Sequence, residues 1–343
     1  MSVLHNQSHE TNYSSFLSAA AGWGSPPLFK QTPMMVAVLT LAYLVVFVLA
    51  VVNNCLVVSA IVRNLQLRTI TNYFLANLAV ADILVSFIVL PITLLSNLFS
   101  EWLFGPFLCK ITGYLQAVTV GASVNTLATV AVERYLAIFY PHANIIRPNT
   151  AAILIAIIWL VPVCIQVPWA VFYRLEQFPV PDTEHIHRIC YAKFPSKQIE
   201  KGFFVGGVFL TCYIAPLCVI IIFYSLIGVR VWRRTVSGIK GSKAERNINR
   251  AKIRVVRMLI VVAVVFAFFW MPLYATRIHV MFAPKMEEEQ LSLVKNTIVP
   301  IAQWLGAATS CVNPFIYCYF SLQFRKSIVA MLKNGTCCGR INV

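Results

Sequence analysis

Long apolar runs separated by short polar and basic stretches fill most of the chain. Seven of them, near residues 34–62, 71–96, 107–138, 150–171, 202–231, 251–281 and 293–320, reach the roughly 20 apolar residues that a helix needs to cross a hydrocarbon core about 30 Å thick. The pattern predicts an all-α membrane protein, a bundle of seven transmembrane helices over 34–320. A polar tail (1–33) precedes it and a short segment (321–343) follows. In that last segment Phe324, Ile328 and Leu332 alternate with Arg325, Lys326 and Lys333, predicting an amphipathic helix along the inner leaflet. Between the fourth and fifth runs, residues 172–201 alternate apolar and polar on both sides of Pro179-Val180-Pro181-Asp182. This reads as a β-hairpin.

The composition agrees, with 59% hydrophobic and 12% charged residues in a chain of 343. That is more apolar surface than one soluble core hides. The net charge of +16 raises nucleic acid as a partner, but the stacking aromatics of such sites are absent from 233–257. The basic residues instead gather in alternate loops: Arg63 and Arg68, Arg134 and Arg147, the run from Arg230 to Arg257, then Arg325, Lys326, Lys333 and Arg340. The positive-inside rule places these in the cytoplasm and the N-terminus outside. The tail lacks the pattern of a cleavable signal, so the first helix is expected to direct insertion. Asn6 and Asn12 sit in sequons on the outer side and are glycosylation candidates, whereas the sequon at Asn334 falls inside.

The ten cysteines have no zinc-type spacing. Cys55, Cys164, Cys212, Cys218, Cys311 and Cys318 fall within helices as small apolar fillers. Cys109 opens the third helix and Cys190 lies in the hairpin loop, both on the oxidising side, and they are expected to be bridged. Cys337 and Cys338 follow the last helix and are candidates for palmitoylation, or are plain thiols.

Polar groups inside apolar runs are costly and mark function or mutual pairing. Asn53, Asn54 and Asp82 are such groups, and Ser123 is a plausible oxygen partner for a cation held by Asp82. Gln116 lies two turns into the third helix, at shallow depth. Glu133-Arg134-Tyr135 closes that helix where it meets the cytoplasm, as a charged switch would. Beyond it, Ile145 and Ile146 form an apolar pair for a partner or the membrane surface. Pro216, Pro272 and Pro314 predict bendable points in the fifth, sixth and seventh helices.

Asn54, Asp82, Cys109 with Cys190, Glu133-Arg134-Tyr135, Trp159, Pro216, Phe266-x-x-x-Trp270-x-Pro272 and Asn313-Pro314-x-x-Tyr317 together resemble a rhodopsin-like (class A) G-protein-coupled receptor. The resemblance covers every helix. It implies that Arg134 meets a heterotrimeric G protein when the sixth helix swings outward and that Trp270, beside Phe266, senses the ligand. Tyr224 and Tyr317 would stabilise the active state, and Asp82, Ser123 and Asn313 would hold an allosteric sodium ion, with no other cofactor. Arrestin and receptor kinases are implied as further partners, and the plasma membrane as the location. Glu133 stands where aspartate is commoner, Phe269 where cysteine is, and Lys252 where many members carry an acid that locks Arg134.

Gln116 occupies the position at which amine receptors carry an aspartate, and Ala307 the position of the retinal-bearing lysine of opsins, with Lys295 at the outer helix end instead. What remains is similar to the orexin and neuropeptide FF receptor groups. A hairpin lid leaves a wide mouth, with Asp182, Glu184, Arg188 and Lys193 on its rim. The expected ligand pocket is Gln116, Thr119, Gln166, Trp169, Tyr274, Arg277, His279 and Gln303. Amides such as Gln116 and Gln303 both donate and accept, which suits a C-terminally amidated peptide. A small-molecule or lipid ligand is the alternative. A transporter would show inverted repeats or several charges in mid-membrane, and an enzyme a cluster of catalytic spacing; neither pattern is present.

Overall fold

Several apolar runs begin on a residue able to start a helix. The computed structural model describes residues 27–141, 145–179, 186–236, 243–283 and 286–333. Helix α1 (Pro33–Arg63) starts at Thr32, whose hydroxyl accepts the Met35 N–H at 3.4 Å. Proline just inside and threonine just outside satisfy or remove the orphan donors of a first turn. Thr69 caps α2 (Ile70–Leu98) in the same way. Helix α3 (Gly105–Phe139) follows a turn with φ of 74° at Gly105, a left-handed backbone that favours glycine. Helix α4 (Pro148–Phe172) leads into strands β1 (Tyr173–Pro179) and β2 (Ile186–Ala192), followed by α5 (Lys197–Arg233) and α6 (Lys243–Phe282). Helix α7 runs through Glu288–Leu293, Val294–Ile298 and Val299–Phe320, and α8 is Leu322–Lys333.

Helices α1 to α6 are long and apolar enough to cross a membrane. The 22 residues of Val299–Phe320 are fewer but still reach the length of a membrane span, and they include the buried polar Thr309, Ser310 and Asn313. The expected seven-helix bundle is present, with the amphipathic α8 placing Phe324 and Met331 inward. The hairpin is also present: β1 and β2 pair antiparallel from Tyr173↔Ala192 to Pro179↔Ile186. Its turn, including Asp182 and Glu184, lies outside the described residues, as do Asn6, Asn12, Cys337, Cys338 and the Lys252 side chain. The two ends of the bundle are called here the hairpin end and the basic end.

Three helices widen into π-helix, each time just before a proline. Val85–Val89 precedes Pro91, Phe203–Ile214 precedes Pro216, and Val294–Ile298 precedes Pro300. In all three the residue before the proline donates its N–H to the carbonyl five residues back: Leu90 to Val85, Ala215 to Leu210, Val299 to Val294. Proline supplies no N–H and crowds the carbonyl one turn earlier, so the helix absorbs an extra residue there. Pro162, Pro272 and Pro314 sit inside α-helix instead.

Buried amides and small residues knit the helices together. The Trp159 indole donates to Asn77 Oδ1 at 2.8 Å, and Asn77 Nδ2 donates to the Thr126 hydroxyl at 2.9 Å, tying α4, α2 and α3. Such interhelical bonds contribute on the order of 0.6 kcal/mol each in lipid. A β-carbon on Gly121 would come within 2.8 Å of Pro162, so glycine allows α3 and α4 their close approach. Cys212 and Cys311 are buried as expected of fillers, whereas Cys55, Cys164 and Cys218 are exposed on the bundle's outside.

Candidate functional site: a ligand end, a polar core and a switch end

At the hairpin end, a disulfide joins Cys109 of α3 to Cys190 of β2, with Cα atoms 5.7 Å apart. This is the expected bridge, and it fixes the hairpin over the bundle. Within the hairpin, Glu176 accepts from Lys193 Nζ at 2.6 Å and from the Tyr191 hydroxyl. Burial alone would raise the Glu176 carboxyl, but the Lys193 and Tyr191 hydrogen bonds and the Lys193 and Arg174 charges outweigh it and hold it below its ordinary range. On its other side β2 is tied to the α2–α3 turn: Trp102 N–H donates to the Arg188 carbonyl at 2.9 Å, and His187 Nδ1 lies 3.5 Å from Glu101.

Beneath the hairpin the expected pocket residues divide into three groups. Trp169 joins Tyr173, Phe194 and Phe203 in an aromatic cluster, with ring centroids 5.4–5.9 Å from its own, and so anchors the hairpin to α4 and α5. Tyr274 stacks near Tyr213 at 4.7 Å and lies 6.3 Å from Trp270, in direct line with the core. Gln166 is fully buried and its Nε2 donates to the Gly207 carbonyl at 2.9 Å, clamping α4 to α5. The buried Thr119 hydroxyl bonds back to the Leu115 carbonyl at 2.8 Å. His279 is nine residues beyond Trp270, half a helical circumference away from that inward-facing indole at about 100° per residue, and it is exposed. Gln116, Arg277 and Gln303 are not clamped between helices in this way: Gln303 Oε1 accepts from Asn97 at 2.9 Å, while the Gln116 and Arg277 side chains have no hydrogen bond among the described residues.

In the middle of the bundle, Asp82 is 3% exposed and its Oδ2 accepts from Asn313 Nδ2 at 3.0 Å. The Ser310 side chain also lies beside this carboxylate. Asn54 Nδ2 reaches the Ser310 carbonyl at 2.8 Å, so α1, α2 and α7 converge on one acid. No cation pairs with Asp82 among the described residues, and a buried ionised carboxylate needs a compensating charge. Carboxylate and hydroxyl oxygens are the donors a hard cation takes, so the set fits sodium. Ser123 is buried but makes no side-chain hydrogen bond among the described residues. Ser310 is the member that sequence reasoning missed; its signal is its spacing, three residues before Asn313 on the same helix face.

Above this, Trp270 is buried, 6.0 Å from Phe266, and its indole N–H has no partner among the described residues. The Tyr213 hydroxyl donates to the Ala267 carbonyl at 2.8 Å, holding α5 to α6 one turn before Pro272. Tyr317 is 1% exposed, its hydroxyl equally without a partner among the described residues.

At the basic end, Arg134 and Glu133 form a two-pronged ion pair, with Arg134 Nε 2.5 Å from Glu133 Oε2. The Thr71 hydroxyl donates to the same oxygen at 3.1 Å, so α2 fixes the acceptor. Tyr135 stacks on Phe139 at 4.2 Å and meets Phe223 of α5 at 5.1 Å. Tyr224 is buried nearby in α5. Of the apolar pair after α3, Ile145 is exposed and Ile146 packs against the core.

Comparison with known proteins gives this architecture its place. Residues 53–317 match the family described as 7 transmembrane receptor (rhodopsin family). Neuropeptide FF receptor 2 of Mus musculus is 33% identical over 307 residues, which cover 87% of this chain and 73% of that receptor. Neuropeptide FF receptor 1 of Homo sapiens is 32% identical over 316 residues, 90% of this chain and 73% of the relative. The QRFP-like peptide receptor of Branchiostoma floridae is 28% identical over 339 residues, 96% and 87% of the two chains. The motifs that converge on Asp82, Trp270 and Arg134 and the extent of these matches lead to one conclusion: the chain belongs to the rhodopsin family of seven-transmembrane receptors.

Proposed function

We propose that this receptor sits in the plasma membrane with its hairpin end outside, binds a neuropeptide whose C-terminus is amidated, and activates heterotrimeric G proteins through its basic end. The observation that carries the reading is the group of polar side chains with atoms left to pair, Gln116, Arg277 and the Gln303 amide nitrogen, lying below a disulfide-tethered hairpin in a chain similar to peptide receptors. A primary amide both donates and accepts, and so do Gln116 and Gln303. Ligand pressing on Tyr274 would displace the Trp270 ring packed beneath it and bend α6 at Pro272. That movement opens the basic end and draws Arg134 away from Glu133 toward the G protein. Asp82, Asn313 and Ser310 would hold a sodium ion in the resting state, where it supplies the charge that Asp82 lacks. Arrestin and receptor kinases act at the same end, and Asn6 and Asn12 are glycosylated outside.

The test is calcium release in cells that express the chain with a promiscuous G protein, challenged with amidated peptides. Nanomolar responses lost in Arg134→Ala and weakened in Gln116→Ala support the reading. Silence from a receptor present at the surface would favour a small-molecule or lipid ligand.

A further inference from the structure

We propose that the outer rim between Lys30 and Lys295 is a binding site for an anionic group, and that it reads an acidic side chain of the peptide about four residues before the amidated end. The distance rests on the reading that Gln303 and Gln116 receive the amide.

The rim is built by backbone pairing. Residues ahead of α1 run antiparallel to the end of α2: Lys30 N–H donates to the Leu98 carbonyl at 2.8 Å, and Ser100 N–H to the Leu28 carbonyl at 3.1 Å. Phe29 stacks on Phe99 with centroids 5.1 Å apart. Gln31 Nε2 then reaches across to the Asn296 carbonyl at 2.6 Å. Because Gln31 follows Lys30 and Asn296 follows Lys295, this bond brings the two lysines to one place on the rim.

Lys30 Nζ donates to the Ser96 carbonyl at 2.9 Å, which steers its ammonium along α2. Neither lysine has a carboxylate partner among the described residues, although elsewhere at this end Lys193 is paired with Glu176 and His187 with Glu101. Desolvation beside α2 and the Lys295 ammonium hold the Lys30 amine below the usual lysine range. Two like charges held together without a counter-ion are relieved by an anion. Lys30 and Lys295 are both exposed as residues, although packing on α2 partly desolvates the Lys30 amine.

The rim adjoins the proposed amide pocket. Asn97, next to Ser96, donates to Gln303 at 2.9 Å. Lys295 is eight residues from Gln303 along α7, about 12 Å of helix at 1.5 Å per residue. An extended peptide covers that rise in about four residues at ~3.3 Å each. A peptide anchored at Gln303 by its amide therefore presents its fourth residue from the end to the two lysines.

The test uses synthetic peptide pairs that differ only by Glu or Gln, with the substitution scanned from the second to the sixth residue before the C-terminus. Each pair is made as amide and as free acid, and surface level is read from an epitope tag. The glutamate peptide is expected to be about tenfold more potent than its glutamine twin on the parent receptor, with the largest ratio near the fourth residue. That advantage disappears in the Lys30→Gln, Lys295→Gln double variant, and Lys295→Glu favours a lysine at the same peptide position. Equal potency of the pairs on the parent receptor, or an advantage that survives the double variant, would overturn the site. Equal potency of amides and free acids, with the glutamate advantage intact, would overturn the amide reading alone.

Discussion

Gly306 of α7 lies flat against Trp270 of α6, so close that a β-carbon at 306 would stand 3.3 Å from the indole ring. The indole is thus backed by a helix with no side chain at the point of contact, and any rotation of Trp270 is felt directly by α7. Gly306→Ala forces the ring to yield by a few tenths of an ångström, an overpacking that costs about 1–3 kcal/mol in a tight core. Basal signalling and agonist potency are both expected to shift at least threefold in Gly306→Ala. Gly306→Val should be more severe, with reduced surface expression. Unchanged basal and agonist-driven G-protein activation in Gly306→Ala would show that Trp270 does not move in signalling.

The ion pair at the basic end predicts opposite phenotypes for its two members. Arg134→Ala should abolish G-protein activation while ligand binding persists, because in the proposed mechanism the arginine is the group released. Glu133→Gln removes the charge that restrains it and is expected to raise basal activity several-fold. Thr71→Val, which deletes the hydroxyl on Glu133 Oε2, should move basal activity the same way by a smaller amount. Nucleotide-exchange assays on membranes compare all three.

Cys190→Ser releases the hairpin from α3. Loss of a disulfide in a small domain costs ~2–5 kcal/mol, and here the cost falls on the lid rather than the bundle. Radioligand or fluorescent-peptide binding should fall by more than tenfold, and mild reduction of the parent receptor should reproduce the loss. Binding that survives both treatments would mean that the hairpin is not part of the ligand site.

Gln166 separates structural from ligand-contact roles within the candidate pocket. With its amide held by Gly207 and Cys212, Gln166→Leu should lower the melting temperature of the detergent-solubilised receptor by a few degrees. Agonist potency, corrected for expression, should stay within about threefold. Gln116→Ala is expected to do the reverse.

The hairpin carries its own pH signature. The folded Glu176 carboxyl titrates below its ordinary value near 4.5, so its stabilising contribution is complete above that value and is lost only as pH falls through the lower folded one. The Glu176 side chain is partly exposed, which keeps the contribution under about 1 kcal/mol. Peptide affinity should therefore be insensitive to this group between pH 7.5 and about 5. Glu176→Gln, which removes the Lys193 pair, should lower affinity slightly at all pH values in that range. A fall in affinity between pH 7 and 6 that vanishes in Glu176→Gln would contradict this assignment.

The helices could be read from the chain because each is an apolar run long enough to span a bilayer, and the hairpin because it alternates around a proline turn. The Cys109–Cys190 bridge followed from residue type and depth, and the meeting of Asp82 with Asn313 from the family resemblance. What escaped was contact between residues whose types carry no signal. Gly306 reads as one more small residue in a helix, Thr71 as one more hydroxyl, and Asn97 as a loop-end amide, yet they touch Trp270, Glu133 and Gln303. Gln166 and Thr119 looked like ligand groups because they are polar and shallow, and only packing reveals that their hydrogen bonds are directed inward.

The widened turns ahead of Pro91, Pro216 and Pro300 carry a consequence for reading helix faces. An extra residue in a helical turn offsets everything beyond it by about 100° relative to an unbroken helix. On α2, α5 and α7, then, a wheel drawn from the basic end assigns the ligand-end residues to the wrong sector. Deleting one residue within Val85–Val89 would keep the chain helical and turn Ser96 and Asn97 away from α7, so the Asn97–Gln303 bond depends on a frameshift of angle set ahead of Pro91.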